Sequence, residues 1–210
     1  MRRFFLSPVA GLLILTACSS VNKPNDTNFK IAINRYLTKH GEACTETGKQ
    51  FPVDVTETEQ RLQAGTASQM AVLEQAGLVR SSNTTAVVHG MTNTLRGLAP
   101  PQPVKRYELT SEGQKYFRQT SGMFGQTASF CYGEKTVESI VKWTEPVTMG
   151  AATQTEVTYT YKIADLAPWA ERPDVQREFG DMRSIINGIS RSNEIADLQL
   201  TNQGWEVLGQ

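Results

Sequence analysis

Histidine is almost absent: the chain carries only His40 and His89. Cysteine is nearly as scarce, with three residues and no CxxC pair. Together these shortages exclude the ordinary zinc-ligand sets, and no metal or other cofactor is expected. There is no excess of charge of either sign, since Lys plus Arg and Asp plus Glu are 21 each. A chain built to coat nucleic acid would be basic, so no nucleic-acid partner is expected. Gly-rich phosphate loops, calcium loops and the strained Gly-x-Ser-x-Gly turn are also missing. What remains is a folding sequence: 210 residues, 39% hydrophobic and 20% charged. A chain of that size buries roughly 70% of the surface its unfolded form exposes.

The start of the chain is the most specific feature. Met1-Arg2-Arg3 is positive, and residues 4–17 carry no charge. As a helix that stretch would span roughly 21 Å, against a hydrocarbon core of about 30 Å. Length and flanks fit a removable export signal over residues 1–17. The run ends in Leu15-Thr16-Ala17-Cys18, which resembles the lipobox of bacterial lipoprotein precursors. The resemblance implies a diacylglycerol thioether on Cys18, cleavage before it, and acylation of the new amino terminus. Ordinary signal cleavage beside an incidental cysteine is the alternative. Several acyl chains at about 0.8 kcal/mol per buried methylene would anchor the protein nearly permanently. Ser19 is similar to the default pattern that sends such lipoproteins to the outer membrane, here with the domain facing the periplasm. Residues 18–26 then read as a lipidated, polar tether. Loss of Arg2 and Arg3 leaves the mature chain slightly acidic, with no bulk attraction for anionic surfaces.

With Cys18 lipidated, Cys44 and Cys131 have one pairing available in an oxidising compartment. A Cys44–Cys131 disulfide is the expectation, with two separate buried thiols as the alternative. The chain-entropy account gives such a bridge roughly 4.6 kcal/mol before native strain.

Along the chain, apolar spacing predicts a helix over 27–40, capped by Asp26 or Thr27, with Phe29, Ile33, Tyr36 and Leu37 on one face and Gly41 as the stop. Phe51–Val55 reads as a short extended run that Pro52 confines to an edge or a strand start. A brief helix capped by Thr56 or Thr58 runs to Leu62, and another starts at Thr66 or Ser68. Gly77 leads into a strand. Residues 81–103 read as a long exposed loop or irregular hairpin, followed by a strand at Val104–Leu109 and a Thr110-capped helix, Ser111–Arg118. The second half is richer in strand: Ser129–Glu145, a turn over Pro146–Ala152, and clear period-two alternation in Gln154–Ile163. Helix is predicted from Asp165 to about Arg191 with a break near Glu171–Pro173. A strand at Ala196–Leu200 and a terminal turn containing Trp205 and Val207 close the chain.

These elements predict an α+β fold. The order in the first half resembles a winged helix, as do Leu73-Glu74-Gln75-Ala76-Gly77-Leu78-Val79 and Tyr107-Glu108-Leu109-Thr110-Ser111-Glu112-Gly113. The resemblance implies a winged-helix-like part over 27–120, packed with a small antiparallel sheet and helices over 126–210, together forming one cooperative unit. The helix Thr66–Gln75 has no Lys or Arg with which to grip phosphate, so the scaffold would serve protein contact. Gln199-Leu200-Thr201-Asn202-Gln203-Gly204 echoes Glu108–Gly113, either as a duplicated unit or as the same strand-to-turn punctuation.

Candidate chemistry is sparse. His40 suits a helix C-terminus. His89 could serve as a general base beside a loop hydroxyl, with no oriented triad discernible. Glu57/Glu59 and Glu171/Asp174 read as solvated carboxylates. Trp143, Trp169 and Trp205 complete a core or line a pocket. No catalytic residue is assigned. The expectation is a non-enzymatic lipoprotein, held to the membrane by its anchor, that binds or supports another envelope protein through residues 83–99 or the β-rich half. An envelope hydrolase acting on wall or lipid, and a small-ligand carrier, are the alternatives. Intact mass of the mature protein is expected to show acyl chains on Cys18 and two hydrogens fewer than a fully reduced chain.

Overall fold

Asn25, not Asp26 or Thr27, starts the first helix. Its extended backbone lets the side chain accept from Asn28 N at 2.9 Å, capping α1 (Asp26–His40). In the computed structural model, which describes residues 21–88, 100–122 and 125–209, α1 buries Phe29, Ala32, Ile33 and Leu37. Gly41 ends it, donating to Leu37 O at 2.6 Å. A Cβ on Gly41 would lie 2.6 Å from that oxygen and 3.1 Å from Lys135 O, so the close approach requires glycine.

The chain continues through β1 (Glu42–Glu46), β2 (Val53–Thr56), α2 (Glu57–Leu62), α3 (Thr66–Gln75), β3 (Val79–Ala86), β4 (Gln102–Leu109), α4 (Ser111–Tyr116) and β5 (Phe117–Gly122). The second half contains β6 (Gly125–Trp143), β7 (Val147–Met149) and β8 (Ala152–Ala164). After a 3-10 turn (Pro168–Glu171) come α5 (Pro173–Glu178), α6 (Gly180–Asn187), β9 (Asn193–Thr201) and β10 (Gly204–Val207). The fold is α+β, with two antiparallel sheets. A three-stranded sheet runs β2-β4-β3. A seven-stranded sheet runs β1-β6-β8-β9-β10, with β5 also on β6 and β7 on β8. Among the described residues no helix is long and apolar enough to cross a membrane.

Several segments differ from expectation. The larger sheet is not confined to the second half, because it recruits β1 and β5 from the first. β1 (Glu-Ala-Cys-Thr-Glu) has little strand propensity of its own and forms by pairing with β6. The Thr110-capped helix stops at Tyr116 because Phe117 pairs with Phe130 and continues as β5. Of the two readings of 81–103 the hairpin holds for the described ends, but the polar run Ser81–Thr85 is regular strand, pairing residue by residue with Pro103–Tyr107. Residues 89–99 lie outside the described residues. Trp205 and Val207 belong to strand β10, not to a turn. The long helical stretch breaks at Arg172 ahead of Pro173, as expected, and again at Phe179, whose ring is buried.

Two cores result. One joins the three-stranded sheet, α3 and the 3-10 turn with its following helices to the first half of β6, through Met70, Leu73, Tyr107, Phe130, Trp169 and Phe179. The other packs α1 on the second half of β6 and on β8–β10, through Phe29, Ile33, Val157, Tyr161, Leu198 and Trp205. α1, grouped by sequence with the winged-helix-like part, sits on this second core. It also covers an open edge of β6: Asn34 accepts from Val137 N at 2.8 Å and Lys30 donates to Glu138 O at 2.9 Å. Phe29 lies edge-to-face between Trp143 and Trp205, at 5.4 and 5.2 Å. Phe29→Ala is expected to cost about 3–5 kcal/mol in urea denaturation. Ile31→Ala, on the outer face of the same helix, is expected to change stability by no more than about 0.5 kcal/mol.

Candidate functional site

The expected cysteine pair is joined. Cys44 on β1 lies directly opposite Cys131 on β6, with an S–S bond of 2.07 Å across 87 positions of sequence. Glu42 lies close to both sulfurs, but sulfurs spent on a disulfide offer no thiolate to a metal. Cys18 and His89 lie outside the described residues. His40 ends α1, stacked on Tyr36 at 4.6 Å. Of the segment 83–99, residues 83–86 are strand and carry no loop site.

The three tryptophans do not converge on one cavity. Trp143 and Trp205 flank Phe29 and donate to Asp26 Oδ1 and Asn22 O, both at 3.2 Å. Trp169 belongs to the other core, edge-on to Tyr116 and Tyr132. Glu59 closes the α2 capping box on Thr56 N at 2.8 Å. Asp174 takes a two-pronged grip from Arg172 at 2.7 and 3.2 Å. The echo around Thr201 also separates: Thr110 leads into a helix, whereas Thr201 turns the β9–β10 hairpin.

What sequence reasoning missed is a trough on the three-stranded-sheet side. One part holds about 310 Å³ between α2, α3 and β4, lined by Gln60, Gln63, Ala67, Ser68, Ala71, Val72, Lys105 and Tyr107. Two adjoining hollows share Gln60, one along Glu57–Gln63 and one reaching Asn83, Thr84 and Pro103 toward the Ala86–Gln102 end of the β3–β4 pair. Alanines at 67 and 71 keep the floor shallow and apolar. Gln63 and Lys105 provide polar groups at the rim. Leu62, the last residue of α2, is 70% exposed.

Fixed charges brace the sheet beside the trough. Lys105 donates to Glu74 at 2.9 Å and lies 5.0 Å over the Tyr107 ring, while Ser81 also donates to Glu74. Burial pushes the Glu74 carboxyl up, but the Ser81 and Lys105 hydrogen bonds outweigh it and hold the group below its ordinary value of 4.5. Arg106 pairs with Asp54 directly across β4–β2, with two bonds of 2.7 Å. On the other core, Glu194 accepts from Tyr159 at 2.9 Å and pairs with Lys135, whose ammonium lies 4.4 Å over the Tyr161 ring. Burial first, and then the Glu194 carboxylate, push the Tyr159 hydroxyl well above the usual tyrosine range. A group so placed stays protonated at neutral pH, and as a donor it orients Glu194.

The lowered Glu74 pKa fixes a pH dependence. The pair stabilises the fold above the ordinary carboxylate value of 4.5, and that contribution disappears as pH falls through the lower folded value. Wild type is therefore expected to exceed Glu74→Gln in thermal midpoint at neutral pH. The difference should shrink on acidification below about 4.5 when melting is followed by circular dichroism.

Comparison with known proteins finds no matching family model, no matching curated protein and no matching solved structure.

Proposed function

We propose that this chain is a lipid-anchored envelope module whose task is to bind or support another envelope protein through the trough centred on Gln60. The observation that carries the reading is the trough itself: an apolar floor of Ala67, Ala71 and Val72 beside amide and ammonium groups. Gln63 and Lys105 can hydrogen-bond an extended segment of a partner. The lipobox-like Leu15–Cys18 supports export and anchoring. The Cys44–Cys131 bridge supports an oxidising compartment such as the periplasm, with the outer membrane as the proposed site of attachment.

The segment from β2 to β4 reads as a winged-helix-like scaffold reused for protein contact. Supporting this are the helix pair α2–α3 between the first and second strands and the sheet order β2-β4-β3. The α3 helix carries no Lys or Arg, which favours a protein over a polyanion as occupant.

A photoreactive amino acid at Gln63, activated in intact cells, is expected to capture one discrete protein, and Ala71→Arg in the same chain should abolish that adduct. The same probe at Lys162, exposed on the larger sheet, should not yield it. Equal capture from both positions, or capture that survives Ala71→Arg, contradicts the assignment.

A further inference from the structure

The residues nearest the lipidation position are bonded to the fold. Trp205 Nε1 donates to Asn22 O at 3.2 Å, and Asn28 Nδ2 donates to Lys23 O at 2.8 Å. Val21 lies against Gly204, where a Cβ would come within 3.2 Å of Val21 O. Only Ser19 and Ser20 separate Val21 from Cys18. Three backbone steps reach at most about 11 Å. The headgroup layer on one side of a bilayer is itself about 5–8 Å thick. A diacylglycerol on Cys18 therefore leaves no room for a free stalk, and whatever surrounds Val21 meets the headgroups.

A second observation marks the same end of the molecule. β8 begins beside the end of β9, since Thr153 faces Leu200, and Leu200 in turn faces Trp205. The β7–β8 and β9–β10 hairpin tips thus lie at one end of the larger sheet, with Val21 against the second tip. β7 and β10 are three strand spacings apart, about 14 Å. The first tip presents Val147 and Met149, 58% and 66% exposed, and Val21 is 46% exposed. Val21, Ile31 and Gln203 line one small hollow beside the second tip. Lys23 is exposed close by.

We propose that this end of the seven-stranded sheet is a bilayer-docking face. Val21, Val147 and Met149 enter the headgroup layer, and Lys23 meets lipid phosphates. The inference rests on the lipid anchor of the preceding reading and adds an orientation to it: the domain stands on its hairpin tips. The trough around Gln60 lies on the other core and shares no residue with this face.

The test uses the mature lipoprotein reconstituted in phosphatidylethanolamine–phosphatidylglycerol vesicles. With Cys18 acylated and Cys44 bonded to Cys131, a single introduced thiol can carry an environment-sensitive fluorophore in M149C, L62C or I195C. Leu62 and Ile195 are comparably exposed, at 70% and 62%, but lie away from the tips. The M149C label is expected to shift to the blue and to lose most of its emission to a nitroxide placed at headgroup depth, with L62C and I195C unchanged. Acylated, vesicle-bound protein in which M149C responds no more than L62C overturns the docking face and leaves the anchor standing. Protein that lacks acyl mass and does not float with the vesicles overturns both.

Discussion

One strand holds the molecule together. β6 runs for 19 residues and contributes to both cores, Phe130 and Tyr132 to one and Val137 to the other. It pairs with β1, β5 and β8 in succession. Gly133 sits between the two stretches, where a Cβ would lie 2.4 Å from Ile163 Cγ2 and 2.8 Å from Ala164 O. No larger residue allows β8 to come that close. The Cys44–Cys131 bond joins β6 to β1 two residues before this glycine. Loosening β6 therefore releases both cores, whereas β8, which pairs with as many strands, gives its buried Val157, Tyr159 and Tyr161 to the second core.

From that frame the two proposed faces acquire separate supports. The trough is built by α2, α3 and β4; Glu74–Lys105 braces it, while Arg106–Asp54, on the opposite face of β4, ties β4 to β2. These pairs are part-buried and geometrically constrained, so they set the shape of the sheet beside the trough more than they set total stability. The hairpin tips belong to the other core, where Trp143 and Trp205 clamp Phe29 and fix the entry of the chain. Together the two proposals describe a module anchored at one end and grooved on its other core, able to hold a partner at a set height above the membrane.

Much of the fold was legible because local signals agreed with tertiary packing. The apolar face of α1, the Thr56 and Thr110 caps, and the period-two alternation of β8 each specify an element without outside help. The strands that were missed, β1, β5, β7 and β10, and the polar extension of β3, carry polar or mixed sequences that become strands only when a neighbour pairs with them. Ser81–Thr85 has no apolar alternation of its own and is defined by β4. The disulfide was readable because two cysteines remain once Cys18 is assigned. The trough was not, because it joins Gln60 and Gln63 to Lys105 and Tyr107 through a strand order that apolar spacing does not encode.

The central claim is that β6 makes the two cores one cooperative unit. It is tested most directly by urea unfolding of variants that each keep one reporting core. Trp169 alone reports the first core, and Trp143 with Trp205 reports the second. The account predicts fluorescence transitions with the same midpoint and slope in both variants, after correction for the stability change of each substitution against circular dichroism. One core melting while circular dichroism still shows the other folded would contradict it.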